Sequence, residues 1–316
     1  MNARRAGRGR GLRAAIRKGL LRASGAPAAR HDFETACRAS ARSTPLGDGV
    51  LLVTPLGALR EGGLRLLVES DDRTLAPHLA LDGFWESWVS IWLRDELLRT
   101  RRRGRLERML NVGANCGYFT LLAAELGAEV VAVEPNARLA RHLIDSARLS
   151  GLTSRVRVVE GACSDHTGEV ELVWISSYSG DGFIDRSPAF SAQVDAMRQE
   201  LGATFERTSV SAHRADDLCP EATLLFVDAE GHEPFVWEGA RRTRSRPGFR
   251  AVLEWSPGRY DDAPGLHDAI RAEGFRFLRI REDGREEPLD RDAALGREHM
   301  VVLRREGASR APPRRP

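Results

Sequence analysis

Lysine is almost absent from this sequence. Lys18 is the only one among 316 residues, so arginine supplies nearly all of the 48 basic side chains, and 45 acidic residues leave a formal net charge of +3. The arginines are spread along the whole chain and balanced by acids, a pattern that does not predict nucleic-acid binding. A catalytic Tyr-x-x-x-Lys pair is also excluded, which weighs against a dinucleotide-dependent oxidoreductase.

Cysteine and long apolar runs are scarce as well. The four cysteines, Cys37, Cys116, Cys163 and Cys219, form no C-x-x-C pair and have no histidine at metal-binding spacing. This usage favours a reducing compartment, and we expect a cytoplasmic protein. No uninterrupted run of ~18 apolar residues is present, so the sequence predicts no transmembrane segment.

Composition divides the chain into four parts. We predict a basic, flexible leader at 1–30, an N-terminal extension at 31–105, the main domain at 106–305 and a flexible tail at 306–316. The leader is either poorly ordered or a basic helix that touches an anionic membrane surface or an acidic partner. It lacks the continuous apolar stretch of a secretory signal.

Strands and helices alternate in the main domain. In the extension before it, Gly49–Leu67 indicates a small hairpin layer and Trp85–Leu98 a helix. The main domain is then predicted to contain, in chain order, strand 108–112, helix 117–126, strand 129–133, helix 136–150, and strands 155–160, 169–175, 224–227 and 251–253. This alternation favours parallel βαβ units, and we predict an α/β, Rossmann-like fold with a mostly parallel sheet.

A glycine turn after the first strand of this domain indicates a ligand site. Met109–Leu122 reads as strand, turn and helix, and Glu134 follows about 20 residues on, at the end of the next strand. The glycines let backbone amides approach a ligand, and Glu134 can accept hydrogen bonds from both ribose hydroxyls. Because Asn115 lies inside the turn Gly113–Gly117 and no third glycine follows, a pyrophosphate fits poorly. S-adenosylmethionine is therefore favoured over NAD.

Two segments in this order and spacing carry a family resemblance. Asn111–Leu122 resembles the D-V-G-A-N-x-G-Y-x-T opening of the FkbM family of S-adenosylmethionine-dependent methyltransferases, and Leu224–Glu233 resembles its K-I-D-V-E-G-x-E strand. Further similarity at Gly83–Glu86, Gly161–Asp165 and Ala215–Leu218 extends the match over residues 70–255.

The resemblance implies the cofactor, the reaction and much of the site. It implies S-adenosylmethionine as cofactor and O-methylation of a hydroxyl on a sugar, glycan or secondary metabolite. It also implies a class I methyltransferase fold whose antiparallel edge hairpin is formed by 275–280 and 299–303. The residues assigned to the cofactor are Asn111, Gly113, Ala114, Asn115, Gly117, Tyr118, Glu134, Ala162 and Cys163.

One departure from the family pattern concerns charge. The family usually has an acid where this chain has Asn111, so a carboxylate that would pair with the methionine ammonium of the cofactor is replaced by a neutral amide. Charge-assisted hydrogen bonds are about twice as strong as neutral ones. Either the affinity for the cofactor is reduced, or Glu86 or another acid supplies the missing charge.

Acids that follow strand ends are candidates for the chemistry. Ligands of open α/β sheets bind beyond the carboxyl ends of the strands, so Glu134, Asp228 and Glu254 should point into one crevice. A neutral alcohol needs a base, and we assign Asp228, Glu230 and His232 as catalytic candidates; the alternative is that the acids only cap the next helix. Asp228, Glu230 and Glu254 also offer oxygen ligands to Mg²⁺. Since the further Asp-Asn pair of catechol-type enzymes is missing, we predict no metal.

Several alternatives stay open at this point. The segment 176–207 is too long for an ordinary connector and either helps to select the acceptor or is an insertion without a role. The chain could be a cofactor-binding protein without catalysis, which Asn111 favours, or an NAD-dependent oxidoreductase. A nucleic-acid methyltransferase is disfavoured because no N-P-P-Y-like element is present and acids stand in its place. The expected partner is a small-molecule or glycan acceptor, with no nucleic acid; the oligomeric state is not indicated.

Overall fold

A computed structural model of the protein describes residues 27–175, 182–184 and 205–305. The basic leader up to residue 26, most of the predicted acceptor-selecting segment and the tail from residue 306 lie outside the described residues. Within the described ranges, no helix is long and apolar enough to cross a membrane.

From residue 27 onward, the N-terminal part combines three helices with a small antiparallel sheet of three strands, one more than a single hairpin. The predicted helix at 85–98 begins at Ser87, because Glu86 has a left-handed backbone with φ 39°, and it continues to Arg102. The elements are α1 (Pro27–Ser40), β1 (Ser43–Gly47), β2 (Val50–Val53), β3 (Leu66–Glu69), α2 (Leu75–Leu81) and α3 (Ser87–Arg102).

The main domain contains the other elements. Its strands are β4 (Arg108–Val112), β5 (Glu129–Glu134), β6 (Val156–Glu160), β7 (Ala162–Ser164), β8 (Gly168–Ile175), β9 (Phe183–Ile184), β10 (Phe205–Arg214), β11 (Leu224–Val227), β12 (Arg250–Trp255), β13 (Phe275–Ile280), β14 (Glu286–Pro288) and β15 (His299–Arg305). Its helices are α4 (Tyr118–Glu125), α5 (Ala137–Leu149), α6 (Ala215–Leu218), α7 (Glu233–Gly239), α8 (Arg241–Arg244), α9 (Ala263–Ala272) and α10 (Arg291–Gly296), with a 3₁₀ turn at Pro257–Arg259.

An eight-stranded sheet organises this domain. Its order is β14-β13-β15-β12-β11-β4-β5-β6. The strands from β12 to β6 run parallel, and β15 runs antiparallel between β12 and β13. This confirms the predicted α/β fold and its antiparallel edge, although β14 and α10 intervene between the two predicted edge strands. The chain runs outward in opposite directions from β4 and β11, so the switch point of the sheet lies between these neighbours.

Side-chain alternation along the strands divides the core between the two faces of the sheet. On one face, Met109 and Phe226 belong to a core that includes Phe33 of α1. On the other face, Leu110 and Leu225 belong to a core that includes residues of α7 and α9. The N-terminal part therefore covers one face of the sheet, and this position brings the segment before α3 to the switch point.

A second sheet, in the order β7-β10-β8-β9, was missed by the sequence prediction. The prediction treated 176–207 as irregular, but β9 and the start of β10 fall in this range. β10 pairs antiparallel with β8 over eight residue pairs, from Phe205 opposite Ile175 to Ala212 opposite Gly168. The sequence of β10 gives little strand signal because most of its side chains are polar, and pairing with distant strands stabilises it instead.

Candidate functional site

One cavity lies beyond the carboxyl ends of β4, β5, β11 and β12. The cofactor candidates that line it are Asn111, Gly113, Ala114, Asn115, Tyr118, Glu134, Ala162 and Cys163. Asp228, Glu230, His232 and Glu254 line it too, together with Trp85 and Glu86 from the N-terminal part and Trp174 from the second sheet. Gly117 is the one cofactor candidate that is not in the lining, and the cavity otherwise joins all the predicted site residues.

The glycine turn is held between two strands. The amides of Gly113 and Ala114 both donate to the carbonyl of Val133, each at 3.1 Å. Gly113 has φ +73°, and a Cβ there would lie 1.7 Å from the carbonyl oxygen of Asp228. A Cβ on Gly117, with φ +99°, would lie 2.1 Å from a methyl carbon of Leu143. Gly113 is therefore required by close packing against backbone atoms, whereas Gly117 is favoured by its left-handed φ, since the end of the Leu143 side chain can move.

Glu134 lies at one end of this cavity and is buried. Its carboxylate accepts hydrogen bonds from the amides of Asn115 at 2.7 Å and Asn136 at 2.9 Å. Burial raises the pKa of Glu134 to about 7, and the two backbone amides act in the opposite direction. Since an ionised carboxylate has about four acceptor positions, two remain for a ligand hydroxyl pair.

The Ala162 and Cys163 pair forms a small-residue wall. Cys163 is 2% exposed, and burial raises the pKa of its thiol to about 12. A buried thiol of this kind fills space and is unreactive.

Asn111 and Tyr118 connect the turn to neighbouring helices. The buried Asn111 amide donates to the hydroxyl of Thr120 at 2.8 Å. The Tyr118 hydroxyl lies 3.0 Å from the hydroxyl of Ser90 in α3, which in turn donates to the carbonyl of Trp85 at 2.8 Å. Tyr118 thus ties the segment before α3 to the glycine turn.

Three acids come together at the end of the cavity opposite Glu134. Asp228, Glu230 and Glu254 can each offer a carboxylate oxygen within 4.8 Å of the other two. Burial, followed by the charges of Glu230 and Glu86, holds the pKa of Asp228 well above its usual value. Burial and Glu254 raise the pKa of Glu230 to about 8, and burial and Asp228 raise that of Glu254 to about 9.

Arg259 is the cation of this acidic end and was missed by the sequence analysis. Its guanidinium forms an ion pair with Glu230 and lies 3.6 Å from Glu254. The three acids could hold a metal ion, but Arg259 already lies against two of them. The available signal was its place in the short turn after β12, where a side chain can return to the strand end.

Glu233 and His232, which follow the acids in the loop after β11, both have partners within the protein. The Glu233 carboxylate accepts from the amides of Ala229 at 2.7 Å and Gly231 at 3.0 Å, so it shapes the loop that carries the acids. His232 is 3% exposed, its Nε2 lies 3.0 Å from the Ser164 hydroxyl, and its ring stacks on Phe235. The predicted turn at Gly231 is present, with Glu230 at φ 52° and Gly231 at φ 97°.

The N-terminal sheet docks beside the cavity through two serines to which the sequence assigned no role. Ser146 accepts from the amide of Leu67 at 2.9 Å. Ser150 accepts from the amide of Arg65 at 2.9 Å and donates to its carbonyl at 3.0 Å. These bonds attach the strand β3 to the helix α5.

Comparison with known proteins gives one family and several relatives. A family model described as the methyltransferase FkbM domain matches residues 111–277, more than half of the chain. A protein-L-isoaspartate O-methyltransferase of Methylorubrum populi is 35% identical over 95 residues, which are 30% of this chain and 40% of that protein.

Similar solved structures include two methyltransferases. The FkbM methyltransferase of Methylobacillus flagellatus KT is 14% identical, with a TM-score of 0.39 over 68% of this chain and 54% of that one. An O-methyltransferase of Bacillus cereus in complex with SAH is 15% identical, with a TM-score of 0.40 over 72% of this chain and 84% of that one. The chain spans less than two thirds of the M. populi and M. flagellatus proteins.

Proposed function

The chain belongs to the FkbM family of S-adenosylmethionine-dependent methyltransferases, and we propose that it methylates a hydroxyl group of a neutral, polyhydroxylated acceptor. A sugar, a glycan or a hydroxylated secondary metabolite has this chemistry. The observation that carries the proposal is the cluster of acids beyond the glycine turn: Asp228, Glu230 and Glu254 converge there, and the guanidinium of Arg259 lies against Glu230 and Glu254.

The residues around the glycine turn fit the cofactor. We assign the ribose hydroxyls to Glu134, whose carboxylate keeps acceptor positions after binding two backbone amides. Gly113, Ala114 and Ala162 line the cavity beside the turn with little side-chain bulk. When bound, S-adenosylmethionine supplies a methyl group on a positively charged sulfur atom.

The acidic end suits an alcohol acceptor for two reasons. A carboxyl group accepts a hydrogen bond from a hydroxyl group when it is ionised and donates one when it is protonated, and an ionised one repels a phosphate or carboxylate on the acceptor. A base is most effective when its pKa lies near the working pH, and burial brings the pKa of Glu230 to about 8. We therefore assign proton acceptance to Glu230 or Asp228, and to Arg259 the positioning of Glu230. A catalytic role for His232 stays a prediction, since its Nε2 lies against Ser164.

Aromatic side chains on two walls support the same class of acceptor. Trp85 and Trp174 line the cavity from the N-terminal part and from the second sheet. Tryptophan offers a large apolar face together with a polar N–H group, which suits a sugar ring with its apolar face and hydroxyl rim.

We also propose a cytoplasmic setting and no nucleic-acid partner. All four cysteines are free and buried, which is consistent with a reducing compartment. The acids of the cavity would oppose a nucleic-acid phosphate.

Transfer of a radiolabelled methyl group to matched acceptors tests the proposal. The set contains neutral glycosides, the corresponding uronic acids and an isoaspartyl peptide. We expect the neutral glycosides to be methylated best and to give an ether product that resists base. Glu230→Gln should lower kcat/KM for the acceptor by about 100-fold or more, the usual scale of acid–base catalysis. Glu221→Gln, at an exposed position away from the cavity, is the control.

Two results would contradict the proposal. Preferred methylation of the isoaspartyl peptide, as a base-labile ester, would assign a carboxylate acceptor. A base-stable product on an amine would assign nitrogen.

A further inference from the structure

Glu86 lines the cavity and has no counter-charge among the described residues. Within the described ranges, its carboxylate accepts no hydrogen bond and forms no ion pair, and burial alone raises its pKa to about 7. By contrast, Glu69 lies 2.5 Å from His142 and 3.1 Å from Arg138, and Glu230 is paired with Arg259. Glu86 is half-buried, and an unpaired carboxylate that is partly withdrawn from water is costly unless a ligand supplies the partner.

The backbone at Glu86 is held in an unfavourable conformation. Its φ of 39° and ψ of 68° define a left-handed backbone conformation. A residue with a Cβ adopts this conformation at a cost of about 1–2 kcal/mol. Three hydrogen bonds maintain it: Ser90 donates its amide to the Glu86 carbonyl at 2.9 Å and its hydroxyl to the Trp85 carbonyl, while Tyr118 contacts the Ser90 hydroxyl. Strain that the surroundings enforce in this way is typical of functional positions.

The position of Glu86 corresponds to one end of the cofactor. Glu86 lines the same cavity as Asp228 and Tyr118, and its charge acts on both. In the sheet, β11, which ends just before Asp228, and β5, which ends at Glu134, lie on opposite sides of β4 and its glycine turn. If Glu134 binds the ribose, the amino-acid end of the cofactor extends toward Glu86. The other residue at this end, Asn111, is neutral and donates its amide to Thr120.

We propose that the Glu86 carboxylate binds the methionine ammonium group of S-adenosylmethionine and supplies the negative charge that Asn111 lacks. The ammonium group gives the half-buried carboxylate its counter-charge, and the N-terminal part rather than the glycine turn provides this carboxylate. This inference rests on the cofactor of the family and not on the identity of the acceptor.

Calorimetric titration with two ligands tests the assignment. S-adenosylhomocysteine has the ammonium group, whereas 5′-methylthioadenosine keeps the adenosine and the sulfur but has no amino-acid part. Hydrogen bonds to charged groups contribute about 1.5–3 kcal/mol, so Glu86→Gln should weaken S-adenosylhomocysteine binding by about 10- to 100-fold. The affinity for 5′-methylthioadenosine should change by less than about twofold, because this ligand has no ammonium group to contact Glu86.

Glu134→Ala is the matched control, and it should weaken both ligands together. Equal affinities of the unaltered protein and Glu86→Gln for S-adenosylhomocysteine would overturn the proposal, as would an equal loss for both ligands. If the unaltered protein binds neither adenosyl ligand, the cofactor assignment itself is wrong, and that outcome is distinct from a failure at Glu86.

Moving the carboxylate provides an independent test. Asn111→Asp in the Glu86→Gln background returns one negative charge to this end of the cavity, and an aspartate can accept a hydrogen bond from Thr120. We expect the double variant to recover most of the lost affinity for S-adenosylhomocysteine. A double variant with an unchanged melting temperature and no recovered affinity would overturn the proposal.

Discussion

Replacing Gly113 by alanine should damage both the stability of the protein and its cofactor site. The new Cβ would lie 1.7 Å from the carbonyl oxygen of Asp228 and 2.8 Å from its carbonyl carbon. Both atoms are backbone, so no side-chain rotation relieves the contact. The amide of Asp228 also donates to the carbonyl of Val112 at 3.0 Å, which ties the two strand ends together. Relief therefore requires the ends of β4 and β11 to separate.

The expected loss in the free energy of unfolding has two parts. Gly113 has φ +73°, and a left-handed backbone costs about 1–2 kcal/mol in a residue with a Cβ. Overpacking of a tight site costs about 1–3 kcal/mol more. The free energy of unfolding should fall by about 2–5 kcal/mol in total. Gly151→Ala is the matched control, because Gly151 has φ +69° but a Cβ there would meet no atom within 4 Å. Only the backbone cost of about 1–2 kcal/mol applies to it.

Urea unfolding and calorimetric titration with S-adenosylhomocysteine measure the two effects. The Gly113 variant should unfold at lower urea than the Gly151 variant and should lose most of its affinity for the ligand. The Gly151 variant should keep that affinity, since Gly151 does not line the cavity. Equal destabilisation of the two variants, with ligand binding intact in both, would refute the reasoning, because it would mean that the strand ends tolerate the extra carbon.

Two further predictions concern the acidic end of the cavity. Burial raises the pKa of Glu254 to about 9, so the folded protein holds a proton that the unfolded chain releases above its usual pKa of about 4.3. The contribution of this group to the free energy of unfolding should therefore fall as the pH rises through that interval. Glu254→Gln should flatten the decline of the melting temperature between pH 6 and 9. An equally steep decline in the variant would count against this. The charge of Arg259 lowers the pKa of Glu230 and so opposes the effect of burial. Arg259→Met should therefore move the rise of kcat with pH to higher pH without weakening the binding of S-adenosylhomocysteine. An unchanged pH profile of kcat would contradict the positioning role of Arg259.

Local signals in the sequence predict the strand, the glycine turn and the acid that line one end of the cavity. The glycine turn and the acid that ends the next strand lie within about 25 residues of one another, and short-range periodicity defines their strands and helix. Glu134 accordingly lies where the sequence places it. Asp228 and Glu254 could be added because the carboxyl ends of parallel strands share one edge of the sheet.

The missed features depend on contacts between distant residues. Ser146 and Ser150 bond to the backbone of β3, about 80 residues earlier in the chain, and nothing in the helix pattern of α5 indicates such partners. β10 is recognisable as a strand through its pairing with β8 and β7. Arg259 gains its role from the loop conformation that brings it to Glu230. Such tertiary contacts override local propensity, so they cannot be predicted from the local patterns of a single sequence.

The pairing of charges differs between the two ends of the parallel strands. At the amino ends, the buried Arg250 pairs with Glu107 and lies 2.6 Å from Glu96, which also lies 2.9 Å from Arg304. Burial would raise the pKa of Glu96, but these arginines hold it below its usual range. At the carboxyl ends, three acids share Arg259, and Glu86 has no cation among the described residues. A chain with 48 basic residues does not lack arginines to pair with these acids. The acids at the carboxyl ends line the cavity, so ligand groups as well as side chains are expected to complete their hydrogen bonds and balance their charge.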